Sequence, residues 1–245
     1  MRIVLATTLL LLLLCVSAIA WATDDPAAIL KASDRARGGG LPGIVWQIRL
    51  LSREGERTEE PQALVVKAVD NSSVAETIEP ARFRGSKMLQ VDRNMWLTRA
   101  GLSKPIPISP RQRMSGQAAN GDIAATNYAK DYEAVSAGEE TIDGEACFVL
   151  DLTAKHKRTT YDKIRYWVAK KRKVGVRAEF YSVSGKLLKR ATFVYGNTIE
   201  YQGKKIPFIS RMTITDAMSD AETTMEFGKV TVKAIAPAEF DLGQL

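Results

Sequence analysis

The sequence predicts a mainly β protein built on one broad, curled antiparallel sheet, with a few short helices over an apolar face. Three observations predict it. From Gly43 onward apolar residues recur at every second position in run after run. Turn pairs such as Glu54-Gly55, Asp143-Gly144, Ser184-Gly185 and Gln202-Gly203 separate these runs, leaving no room for crossover helices. Several runs also place their apolar side chains on one common face.

The elements follow in chain order. Met1 and Arg2 lead into an apolar stretch, then small residues around Ala20-Trp21-Ala22 and the acids Asp24 and Asp25. That is the pattern of a cleavable signal peptide over 1–22, which leaves residues 23–245 as a single exported, soluble domain. Leu14 stands before Cys15 where a lipidation signal needs a small residue. Without the leader the chain has 34 basic and 28 acidic residues, a net +6, and Cys147 as its one cysteine, so no intramolecular disulfide forms. The absence of low-complexity linkers argues for one domain. A basic balance in an exported protein points away from nucleic acid and towards anionic lipid head groups or acidic partners.

Residues 24–37 read as a short amphipathic helix, with Pro26 near its start and Gly38, Gly39 and Gly40 ending it. In GIVWQIRLLS the residues Trp46, Ile48 and Leu50 share a face with Ile44, opposite Gln47 and Arg49. Further strands are predicted at 62–70, 74–79, 86–91, 94–98, 133–142, 145–153, 161–170, 174–183, 187–196, 206–216 and 222–233. Apolar faces recur at Ile164, Tyr166 and Val168; at Val176, Ala178 and Phe180; at Phe208, Met212 and Ile214; and at Met225 and Phe227. Arg165, Arg177, Glu179, Arg211, Thr213, Thr215 and Glu226 take the opposite, wet face. Met88 and Phe193 join the apolar side. Helical material is confined to 24–37 and short turns within 111–132, too little to fill the concavity, so the remaining apolar volume is expected to form a ligand cavity.

The polar run Ile108 to Tyr132 looks like an active-site loop, yet no constellation supports catalysis. The single histidine, His156, sits among Lys155, Lys157 and Arg158, and there is no Gly-x-Ser-x-Gly. One Cys and one His cannot make a zinc site, and no metal or cofactor is expected. The acid pairs Glu139 with Glu140 and Asp122 with Asp131 are the remaining hydrolytic candidates. The basic clusters Lys155 to Arg158 and Lys170 to Lys173 read as solvated strand ends, or alternatively as docking patches for a membrane or transporter.

The pieces Arg84-Gly85-Ser86-Lys87-Met88-Leu89, Asn94-Met95-Trp96-Leu97, Pro107-Ile108-Ser109-Pro110, Gln117 to Ala124, Asn127-Tyr128, Gly138-Glu139-Glu140, Tyr161 to Trp167, Ala178 to Lys189 and Tyr195-Gly196-Asn197-Thr198 resemble the LolA-like outer-membrane lipoprotein-sorting family, in its larger bacterial branch. The resemblance runs from Asp34 to nearly the end. It implies a half-open antiparallel barrel, with helices and a loop over its hollow, that carries acyl chains of lipoproteins or lipids through the periplasm. Its partners would be an inner-membrane exporter and an outer-membrane acceptor. The alternative is a cargo-free accessory subunit of an RND- or ABC-type lipid exporter. On this reading the apolar positions named above line the acyl-chain cavity and the polar run is a removable lid. Pro110 stiffens its entry, Gly116 and Gly121 serve as hinges, Arg111 or Arg113 bond carbonyls across the mouth, and Tyr128 closes it. A plug that never opens is the competing reading of the same segment.

Overall fold

In a computed structural model of the chain the described residues are 25–124 and 127–245, so the expected signal peptide lies outside them. The helix Pro26–Asp34 begins where Asp25 accepts the Ala27 backbone N–H at 3.1 Å, with Pro26 in the first turn. A 3-10 turn, Arg35–Arg37, continues it to Gly38, whose φ of 99° ends the helix in the left-handed region. Ile29 and Leu30 on its inner side are buried.

One antiparallel sheet of fifteen strands makes the wall. Across it, Tyr132–Ile142, Glu145–Ala154, Lys163–Ala169, Gly175–Tyr181, Leu187–Val194, Arg211–Asp216 and Glu222–Phe227 follow one another as a meander. Ile44–Glu54 then pairs with Glu222–Phe227, setting Ile48 opposite Phe227 and Leu50 opposite Met225. Gln62–Val69, Ser72–Glu79, Lys87–Val91, Asn94–Thr98 and Ile106–Ile108 extend the sheet to its far edge. The two edge strands do not pair with each other, so the barrel is half open. Register shifts at Ser136/Gly138, Trp167/Val168, Phe180/Tyr181 and Ala63/Leu64 add the local twist that lets so wide a sheet curl.

Two expectations about strands need correction. The run 206–216 is two strands, Lys204–Phe208 and Arg211–Asp216, and the first pairs with Asn197–Tyr201 in a separate hairpin. The apolar alternation passes through Ser210 unbroken in register, but Ser210 turns the chain and accepts the Gly196 N–H on its Oγ at 2.9 Å. The outer face is also not wet throughout. Cys147, Val149, Trp167, Ala169 and Val174 form a second buried cluster there. Elsewhere that face carries the expected charges, as in the Arg165–Asp151 pair at 2.8 Å and the Arg177–Glu179 pair at 3.0 Å.

Candidate functional site

Residues 109–124 and 127–131 lie between one edge strand, Ile106–Ile108, and the other, which begins at Tyr132, and bury side chains against the concave face. The lid is thus the connection that an open barrel of this order requires. Within it Arg113–Ser115 and Ala118–Ala119 form a tiny hairpin, followed by one-turn helices at Asn120–Ile123 and Tyr128–Asp131.

Polar contacts hold the lid to the wall along its length. At the entry, Arg111 donates to both oxygens of Asp162 at 2.9 and 2.6 Å and to the Thr159 carbonyl at 2.9 Å. Arg111 is one of the two arginines expected to bond a carbonyl across the mouth. Arg113, by contrast, is exposed, and no contact assigns it a latching role. At the tip, Gly116 donates its N–H to Glu59 Oε2 at 3.1 Å, Gln117 donates to Thr223 Oγ1 at 2.7 Å, and Ser115 Oγ lies 3.4 Å from Ser52 Oγ. Lys189 Nζ donates to the Gln117 carbonyl at 2.5 Å. At the exit, Asp34 accepts the N–H of Tyr128 at 3.2 Å and of Ala129 at 2.9 Å, so one buried carboxylate caps a lid helix.

The two glycines expected as hinges, Gly116 and Gly121, are contact points in this structure. At Gly116, with φ 49°, a Cβ would stand 2.2 Å from Thr223 Oγ1 and 2.3 Å from Ser52 Oγ. At Gly121 a Cβ would stand 1.9 Å from Thr160 Oγ1. Both let the lid backbone press onto the wall.

The underside of the lid is polar and desolvated. Asp122 accepts from the Tyr161 hydroxyl at 2.8 Å and the Ala119 N–H at 2.9 Å. Burial pushes its carboxyl above the usual range, against the pull of Lys189. Burial likewise raises Asp34 to about 7, opposed by the Ala129 and Tyr128 N–H groups and by Arg37. It raises the Tyr128 hydroxyl to about 12, opposed by Arg37, and lowers the Lys189 ammonium, opposed by Asp122. The Arg37 guanidinium lies 5.2 Å from the Tyr128 ring centre and 5.7 Å from that of Phe193.

The predicted cavity residues Trp46, Ile48, Leu50, Met88, Ile164, Tyr166, Val168, Phe180, Phe193, Phe208, Met212, Ile214, Met225 and Phe227 are all buried in one continuous cluster. The lid adds Ala118, Ile123, Ala124 and Tyr128 to that same cluster. Most of the apolar volume under the segment is filled, and what remains is unevenly spread. Two spaces beneath the lid, near Trp46 and near Tyr161, measure about 20 and 30 Å³, room for a water or two. Aromatic rings have taken the volume: Tyr161 stacks on Phe180 at 4.0 Å, and Tyr128 packs edge-on against Tyr132 and Tyr166 at 5.4 Å each. A larger pocket of about 180 Å³ opens beside the lid between Leu64, Ala75, Met88 and Met114.

The sequence reading missed Asp34, Tyr161, Lys189, Glu59, Ser52 and Thr223 as lid partners. They stand apart from the lid in sequence, on the first helix (Asp34), on three different strands (Ser52, Lys189, Thr223) and in connecting loops (Glu59, Tyr161), so no local spacing marks them. Of the hydrolytic candidates, Asp122 accepts from Tyr161, Asp131 pairs with Arg93 at 3.1 Å, Glu139 pairs with Lys170, and Glu140 accepts the Trp167 indole N–H at 2.9 Å. Among the described residues no group of His, Cys, Asp and Glu is arranged to hold a metal ion. None of the described helices is long and apolar enough to cross a membrane.

A LolA superfamily protein from Nitrosomonas europaea superposes with a TM-score of 0.80 at 30% identity, over 90% of this chain and 99% of that one. The chain belongs to the LolA superfamily. A family model described as "Uncharacterized protein" matches residues 69–245 of this LolA-superfamily chain. The same fold recurs in a putative outer membrane lipoprotein-sorting protein domain from Vibrio parahaemolyticus, with TM-score 0.76, 19% identity, and 89% and 97% of the two chains covered. A DUF1329 family protein from Desulfovibrio piger shares it too, with TM-score 0.73, 20% identity, and 90% and 99% covered. No curated protein sequence matches the chain.

Proposed function

We propose that this LolA-superfamily chain is a periplasmic carrier that shelters acyl chains of lipoproteins or lipids and moves them towards the outer membrane. The observation that carries the reading is the contrast within one cluster. Its sheet side is apolar and continuous, whereas the lid that completes it is fastened by hydrogen bonds that water can replace. In this reading the closed form is the empty one, and Ile123 and Tyr128 hold the place of cargo. An acyl chain of about 14 methylenes, at about 0.8 kcal/mol each, supplies roughly 11 kcal/mol on burial. Each lid hydrogen bond exchanged for water costs about 1 kcal/mol net. Exposing Ile123 and Tyr128, both buried on the underside of the lid, costs about 2 kcal/mol or more each, so capture and release are close to balance.

A lock across the lid tip tests this. Ser52 and Ser115 have their Oγ atoms 3.4 Å apart, so the pair Ser52→Cys and Ser115→Cys is placed to close a disulfide. Oxidised, the variant should take up no fluorescent fatty acid, and reduction should restore uptake. Equal uptake in both states would refute a moving lid. Native mass spectrometry of protein isolated from its own periplasm should then show bound lipid or lipoprotein.

The packed interior favours a second reading, the cargo-free accessory subunit of an RND- or ABC-type lipid exporter. Docking through Lys170 to Lys173 gains little support. Lys170 pairs with Glu139 and Arg172 with Glu145, while the Lys170 and Lys173 ammoniums lie 4.8 and 4.6 Å from the Phe148 ring centre.

A further inference from the structure

The other basic turn, Lys155 to Arg158, is built differently. With the strand Asn94–Thr98 and the lid entry 107–110 it encloses a groove of about 350 Å³. Arg93, Lys157 and Arg158 bring three cations to its walls, Trp96 forms an aromatic side, and among the described residues no acid lines it. Of the three, Arg93 alone pairs with a carboxylate, Asp131. Arg158 donates to the neutral Asn94 Oδ1, which leaves the Asn94 amide hydrogens aimed elsewhere, and Lys157 makes no ion pair among the described residues. Ser109 Oγ accepts the Arg111 N–H at 3.2 Å and keeps its own hydrogen to donate. Donors therefore stand on two walls of one pocket in which Arg93 alone is paired with a carboxylate and the charges of Lys157 and Arg158 have no acidic partner among the described residues.

The groove also leads inward. Arg93, Met95, Pro110 and Arg158 line both it and the narrow cleft that reaches Tyr128, Tyr132 and Tyr161 beneath the lid. Its neighbour in sequence, Thr159, provides the carbonyl that Arg111 holds. An anion seated here would place whatever is attached to it at the edge of the lid, against the latch.

We propose that this groove binds the phosphate of a phospholipid headgroup, which makes a phospholipid the cargo, its tails entering beneath the lid along the cleft. The proposal rests on the carrier reading and specifies its cargo. A phosphodiester offers several acceptor oxygens to donors arriving from separate directions, as here, whereas a carboxylate is satisfied by one fork of a single arginine. Trp96, half buried at the rim, suits the boundary between headgroup and chain.

Binding of monomeric short-chain phosphatidylglycerol and of an uncharged monoacylglycerol of equal chain length is to be compared in wild type, K157E/R158E and K157Q/R158Q. Both substituted side chains, Lys157 and Arg158, are exposed and outside the core. Phosphatidylglycerol should bind wild type more tightly than the neutral lipid, by a margin that shrinks with salt. Charge reversal should weaken it at least about tenfold and leave the neutral lipid unchanged, with the glutamine variant between. Emission of Trp96 should respond to the anionic lipid, since Trp46 and Trp167 are buried. Equal affinities, or equal losses for both lipids, would overturn the headgroup site and leave the carrier standing. Glycerol phosphate binding as tightly as the lipid would indicate a free phosphoester site and overturn the cargo assignment. So would adhesion to phosphatidylglycerol vesicles without removal of a lipid molecule. Failure to bind either lipid would remove the carrier reading itself.

Discussion

The wall and the lid face each other across one core and are held in opposite ways. Phe180, Met212, Ile214 and Met225 on the wall are fully buried, and each is fixed by the loss of apolar surface to water. The lid meets them with Ile123 and Tyr128, yet its attachment depends on Arg111, Gly116, Gln117, Asp122 and a carboxylate borrowed from the first helix, Asp34. Water can substitute for a hydrogen bond and cannot substitute for a buried side chain. On the reading proposed above one surface of the core is permanent and the other reversible, and a substitution should betray its side by whether it lowers global stability or only lid closure.

The largest effect belongs to the wall. Phe180→Ala removes a fully buried ring stacked on Tyr161 and should cost about 3–5 kcal/mol, read as a lowered urea midpoint. The replacement Phe180→Asp, which a ligand-lining side chain would tolerate, should prevent folding, because the charge would have no partner in the packed core. A midpoint within error of wild type for Phe180→Ala would mean that the wall is loosely packed and the contrast with the lid is lost.

Asp34 comes next, since it belongs to the first helix but serves the lid. Its carboxyl titrates near 3.8 when unfolded and near 7 when buried. Between those values the native state holds more protons than the unfolded one. The stability that Asp34 contributes is then complete below about pH 4 and is lost as pH rises towards about 7, by on the order of 3 kcal/mol. Comparing urea midpoints at pH 5 and pH 8 should show a decline in wild type that Asp34→Asn reduces. An unchanged pH slope in the variant would show that the carboxylate is hydrated and the lid exit looser than its two N–H contacts imply.

What was legible in the sequence follows the same division. The wall could be read because a strand with one buried face must alternate, and Ile164, Tyr166, Met212 and Met225 obey that rule residue by residue. The rule failed where the backbone turns without breaking the alternation, at Ser210, and so hid the hairpin ending at Phe208. The segment was legible as a polar crossing, with Arg111 or Arg113 expected to bond carbonyls, but the sequence did not say which of the two would reach one. Asp34 was not, since an acid near a helix end looks ordinary and its partner Tyr128 is 94 residues away. The filling of the hollow was equally hidden: Tyr128 on a one-turn helix, Tyr132 at a strand end and Tyr161 in a loop pack their rings into it, which a count of helices underestimates.

The smallest effect should be the most informative. Arg111→Ala deletes a bidentate pair with Asp162 and the bond to Thr159, but both charged side chains are partly exposed, at 37% and 23%, so screening holds the cost to about 1 kcal/mol. Were the lid part of the wall, that loss would appear in the urea midpoint and nowhere else. If the lid is a separate, reversible closure, the midpoint should scarcely move while amide exchange over 109–124 quickens about fivefold and fatty-acid uptake accelerates with it. Exchange that quickens equally in the strands Lys163–Ala169 and Gly175–Tyr181 would join the two regions into one cooperative unit, and the lid would then be a plug.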